Sequence, residues 1–199
     1  MKSNVCKIEN GTKDLDAILR ESEKVAVYNE LTHKQTLQLR LLCEEIDGML
    51  PRIIDDFNGD LWFEFEDGVC KVHLSLLFDE FTAKKKSELV AIAKNKKNAS
   101  AVGIVGKIRS ALENVFLEVD NITVSDLSVE TRYLLGEYCD PVEYSCLWSL
   151  GQYRTTVVKE EKSEEWDELE KSVIASVADD VVVGVKGKRA DIVIVKKFA

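Results

Sequence analysis

Apolar residues recur at three- and four-residue steps through Leu39, Leu42, Ile46, Met49, Leu50, Ile53 and Phe57. That spacing lays one stripe along a helix. Thr32 stands just ahead of it, with Gln35 three residues on, the pairing that makes a capping box. The stripe predicts a helix of about seven turns, ending near Asn58-Gly59-Asp60. Pro51 cannot donate to the Asp47 carbonyl, which predicts a kink or loosening in the last part of that helix. Upstream, TKDLDAILRESEKVAVYNE carries a second, weaker helical pattern.

The period then changes from helical to alternating. GDLWFEFEDGVCKVHLSLLF holds two alternating runs on either side of Asp67-Gly68, a dipeptide that favours a type I′ hairpin turn. In that register Glu66 faces Val69, Phe65 faces Cys70, Glu64 faces Lys71, Phe63 faces Val72 and Trp62 faces His73. One face then carries Leu61, Phe63, Phe65, Cys70, Val72 and Leu74, all apolar, and the other is mostly polar. The long helix is expected to pack on the apolar face. Trp62 and His73 stand on the outer one, to be covered by the N-terminal segment or left as a contact patch.

The remaining segments are read more coarsely. SELVAIAKNKKN suggests a short helix, and NASAVGIVGKIRSALENVFLEV a second buried one with Val102, Val105, Ile108 and Leu112 on its stripe. VETRYLLGEY reads as a helix ended by Asp140-Pro141. CLWSLGQYRTTVVK alternates as a strand, Ser163 then caps an acidic helix, and the chain closes in two strands joined across Lys186-Gly187. Hairpins make antiparallel neighbours, and amphipathic helices need a sheet to cover. The fold class is therefore α+β: a two-layer α/β sandwich with a mixed, mostly antiparallel sheet covered by helices on one face. It forms a single domain over residues 1–199, with 1–30 an N-terminal extension and 31–199 the sandwich core.

Composition narrows the function classes. The formal net charge of -9 argues against a general nucleic-acid binder. No apolar run approaches the length of a membrane span, and MKSNVCKIEN lacks the apolar core of a signal peptide. Five scattered cysteines without a CxxC pair fit a reducing cytoplasm. His33 and His73 lie too far apart in the chain to suggest a histidine zinc site.

The chemistry rests on the acids of the long helix. Glu44 and Asp47 are expected to flank its apolar stripe, with Glu45 pointing further out and Gly48 opening space beside them. A carboxylate at such a border can hold a water or a magnesium ion. Downstream, Asp79 follows the hairpin in DEFTA, and Gly103, Gly106 and Lys107 lie in AVGIVGKI at a helix start. In this order of elements the chain resembles the histidine-kinase-like ATPases (the Bergerat, or GHKL, ATP-binding fold), and most of all their anti-sigma-factor serine kinase branch. The resemblance covers residues 31–116 and the last strands.

Carried across, the resemblance puts Glu44 at the catalytic glutamate of the family's ExxxN box. Gly48 stands where the family has its magnesium-binding asparagine, with Asp47 adjacent. Asp79 falls at the adenine-reading aspartate, without the two glycines of the DxGxG box. Gly103 and Gly106 match the glycine-rich phosphate box loosely, and Lys107 is near enough to meet a phosphate. The resemblance implies a regulatory module that binds ATP or ADP, with its usual magnesium ligand missing. The alternative is a pseudo-ATPase that binds no nucleotide and works through a protein partner or a second copy of itself. Its surfaces would be the acidic helix Ser163 to Ala178 or the Trp62 face.

Overall fold

The computed structural model describes residues 1–10, 15–54, 56–77, 104–109, 146–159, 172–186 and 188–198. In chain order these form β1 (Cys6–Glu9), α1 (Leu15–Tyr28), α2 (His33–Ile53), β2 (Asn58–Glu66), β3 (Val69–Leu77), α3 (104–109), β4 (Cys146–Ser149), α4 (Leu150–Lys159), α5 (Val173–Val177), β5 (Asp180–Lys186) and β6 (Arg189–Lys197). The strands make one six-stranded sheet in the order β1-β2-β3-β6-β5-β4, antiparallel in every described ladder. The fold is an α+β sandwich. Among the described residues no helix is long and apolar enough to cross a membrane.

The capping box starts α2 as its sequence predicts. The Gln35 amide donates to Thr32 Oγ1 at 3.4 Å, and Gln35 Oε1 accepts from the Thr32 amide at 2.8 Å. Leu39, Leu42, Cys43, Ile46, Met49, Leu50 and Ile53 are buried along the expected stripe. The helix stops earlier than expected, two residues after Pro51, and Ile54 is already extended at φ -132 and ψ 127. Asn58, Gly59 and Asp60 belong to β2 instead of to the helix end, because β1 pairs with them on one side and β3 on the other. Gly59 is required by that close approach: a Cβ there would run into the Ser75 carbonyl and crowd Leu76.

The β2–β3 hairpin has the register read from the sequence, from Glu66↔Val69 to Trp62↔His73. Asp67 and Gly68 take φ 48 and 76, the left-handed pair a type I′ turn needs. Leu61, Phe63, Phe65, Cys70, Val72 and Leu74 are all buried and share one core with the α2 stripe. The outer face is less polar than its alternation suggests. Trp62 and His73 stack at 4.9 Å between centroids, and the row continues into Val193 and Val182; His73, Val193 and Val182 are all buried.

Residues 1–30, set apart above as an extension, add an edge strand and a helix to the sandwich. The Phe65 amide donates to the Met1 carbonyl at 2.8 Å, the Ser3 amide donates to the Phe63 carbonyl at 2.9 Å, and Lys2 Nζ lies 5.1 Å from the Trp62 ring centroid. The covering expected for Trp62 is thus supplied in part by the N-terminal segment. Helix α1 packs along α2 and is tied to that segment through Glu21, which accepts from the Asn4 amide and side chain at 3.3 Å and from Lys24 Nζ at 2.5 Å.

The Lys24 hydrogen bond, with those from Asn4, holds the Glu21 carboxyl below its ordinary value of 4.5 in spite of burial. A depressed folded-state value contributes stability that is present above pH 4.5 and is lost as pH falls through the folded value. Urea unfolding at stepped pH should therefore show the wild type losing stability below that point faster than Glu21→Gln. Parallel pH profiles would remove Glu21 from the acid-sensitive set.

Three of the sequence expectations for the C-terminal part are corrected. CLWSLGQYRTTVVK is a strand only to Ser149 and a helix from Leu150. The switch is made by contacts the local pattern does not contain: Asp180 Oδ1 accepts from the Gly151 amide at 2.9 Å and Ser149 Oγ from the Gln152 amide at 3.2 Å, satisfying donors of the first helical turn. The helix predicted from Ser163 is not continuous to Ala178. Ser172 is extended and caps a new helix, α5, by accepting from the Ala175 amide at 3.3 Å. The closing strands pair Lys186↔Arg189, so Lys186, predicted to lie in the turn, is the last residue of β5. The segments SELVAIAKNKKN and VETRYLLGEY lie outside the described residues.

Candidate functional site

The second half of α2 faces α3 and the start of α5 across an open cleft of about 300 Å3. From α2 it is lined by Glu44, Glu45, Gly48, Met49 and Arg52. Ile104 and Val105 of α3 form the opposite wall, and Ser172, Val173 and Ile174 close one end. The spacing of Glu45, Gly48, Met49 and Arg52 is i, i+3, i+4 and i+7, one strip of helix surface beside the core stripe. Met49 belongs to both and is 2% exposed.

The acids are arranged differently from the sequence expectation. Glu44, expected to flank the apolar stripe, stands on the cleft rim with 42% of its side chain exposed and accepts from Arg40 Nε at 3.0 Å. Glu45, expected to point further out, is half-buried and lines the cleft, while half-buried Asp47 is not among its lining residues. Helical geometry accounts for this. At about 100° per residue, Glu44 lies roughly 160° from the Ile46 centre of the stripe, whereas Glu45 and Asp47 lie about 100° to either side. The flanking positions are therefore 45 and 47, and only the first faces α3.

Gly48 is exposed, and nothing lies within 4 Å of where its Cβ would stand. No close approach or positive φ calls for a glycine there, and a helix-interior glycine costs about 1 kcal/mol relative to alanine. What the missing side chain leaves is open volume at the cleft. Arg52, one turn on, is exposed and takes part in no ion pair among the described residues. The described walls thus carry two carboxylates and one guanidinium around an apolar patch.

Of the other predicted site residues, Asp79 and Gly103 lie outside the described residues. The helical residues that follow Gly103 reach the cleft through Ile104 and Val105. Gly106 is buried in α3 and does not line the cleft. Lys107 is likewise absent from the lining; its Nζ lies 4.9 Å from the Tyr153 ring centroid. Ile108 is buried on α3 as expected and is joined by Ile104, while Val105 is only partly covered. The structure thus brings Glu44 and Gly48 to one cleft with the start of α3, and leaves Asp47, Gly106 and Lys107 off it. Glu45 and Arg52 were missed by sequence reasoning. Their i, i+7 relation across Gly48 was the signal available.

Cys43 is fully buried, and desolvation pushes its thiol up to about 12, so it is a core residue. Among the described residues no group of three or more His, Cys, Asp or Glu side chains is placed to hold a metal ion. No family model, curated protein or solved structure matches the chain.

Proposed function

We propose that the protein is a regulatory module that binds a purine nucleotide in the α2–α3 cleft, as a divergent relative of the histidine-kinase-like ATPases. The observation that carries this reading is Gly48: a mid-helix glycine without a packing reason, opening volume on the same cleft as Glu44 and the helix start after Gly103. An apolar wall of Met49, Ile104 and Val105 suits the face of a base, and the carboxylates of Glu44 and Glu45 suit donors such as an exocyclic amine or ribose hydroxyl. ATP or ADP is the ligand the family resemblance implies, with Asp79 as the adenine acceptor.

Gly48 supplies no ligand for magnesium, so binding and regulation are favoured over phosphoryl transfer. Were transfer retained, Glu44 on the rim would be the base, oriented by Arg40. Cys6, Cys43 and Cys70 are free and buried, which supports a reducing cytoplasm.

A second reading, a pseudo-ATPase that acts only through a protein partner, is favoured by apolar side chains left outside the core. Val27 is 80% and Tyr28 72% exposed at the end of α1, and Leu37 and Leu41 are exposed on α2. Calorimetric titration of the full chain with ATP and ADP, repeated on Asp79→Asn, separates the two. Micromolar binding that the substitution weakens supports the nucleotide module. No heat at millimolar nucleotide from folded protein leaves the partner-binding reading.

A further inference from the structure

We infer that Arg52, in place of a divalent cation, is the phosphate-binding group of the cleft, and that the preferred ligand is a purine nucleoside monophosphate. The inference rests on the nucleotide reading above and assigns its ligand class. Three observations combine. First, position 48 holds glycine, which itself supplies no metal ligand, only space. Second, Arg52 follows one turn later on the same strip, lines the cleft, and is committed to no ion pair among the described residues. A guanidinium fork meets phosphate oxygens bidentately and is always charged, so it needs no metal to assist it.

Third, charge and size limit the number of phosphates. Glu44 and Glu45 line the same wall as Arg52, and of the two Glu44 is already paired with Arg40. A single phosphate brings about two negative charges, of which Arg52 offsets one, and each further phosphoryl group adds more against those carboxylates. The cleft volume of about 300 Å3 also lies at the bottom of the range for small-molecule sites, about 300–1,000 Å3. Lys107, the cation otherwise expected to meet phosphate, does not line the cleft.

The test is calorimetric titration of the full chain with AMP, GMP, adenosine and ATP, each in excess EDTA and in magnesium. The proteins are wild type, Arg52→Gln, and Arg20→Gln as a charge control on the exposed face of α1. Circular dichroism confirms that both exposed-site variants fold. AMP or GMP should bind in EDTA, unchanged by magnesium and more tightly than ATP. Arg52→Gln should weaken the monophosphate by about tenfold or more and leave adenosine within about twofold, with Arg20→Gln like wild type. ATP binding that needs magnesium and ignores Arg52→Gln overturns this inference while the nucleotide reading stands. Silence with every compound at millimolar concentration overturns both.

Discussion

Phe63→Ala should lower the free energy of unfolding by about 3–5 kcal/mol, the cost of a large cavity in a packed core. Phe63 is fully buried at the middle of the β2 inner face, opposite Val72, and belongs to the cluster that joins the hairpin to α2. A domain of ordinary stability has only about 5–15 kcal/mol in total, so the variant should sit near the edge of folding. Leu77→Ala, at a residue of the same hairpin that is 51% exposed, should stay within about 0.5 kcal/mol of wild type. Urea denaturation of the pair is the check. A loss below about 1 kcal/mol at Phe63 would mean that the inner hairpin face is not where the core lies.

The second large effect is expected at Gly48, where stability and binding should move in different directions. Gly48→Ala should raise stability by about 1 kcal/mol, since alanine is the better helix former and its methyl group meets no atom. Gly48→Trp should still fold but fill the cleft, and nucleotide affinity should fall by about a hundredfold or more. Both follow from the same open volume. Unchanged binding by the tryptophan variant would place the ligand elsewhere; a destabilised alanine variant would mean that the helix needs its glycine for packing.

Much of the fold was legible because it is encoded in short-range chemistry. The Thr32–Gln35 capping box, the Leu39 to Ile53 stripe and the Asp67-Gly68 turn each lie within a few residues of the groups they satisfy. Once the turn is fixed, every pair of the β2–β3 ladder follows, since a one-residue slip would turn Phe63 and Val72 out of the core. The candidate site was legible in part. Gly48 can be named from the chain, but Glu44 reads as a flank of the stripe, and the helical angle puts it on the rim.

What the sequence determined by itself was therefore the α+β class, the α2 start and the hairpin register, all set by periodicity and local caps. The tertiary structure decided where elements stop and which helix faces meet. Asn58 to Asp60 are strand because two other strands pair with them, and Leu150 begins a helix because Asp180, distant in the chain, accepts from its first turn. The cleft itself belongs to this second kind. Its walls come from α2, α3 and α5, and no local pattern in any one of them specifies the distance to the others.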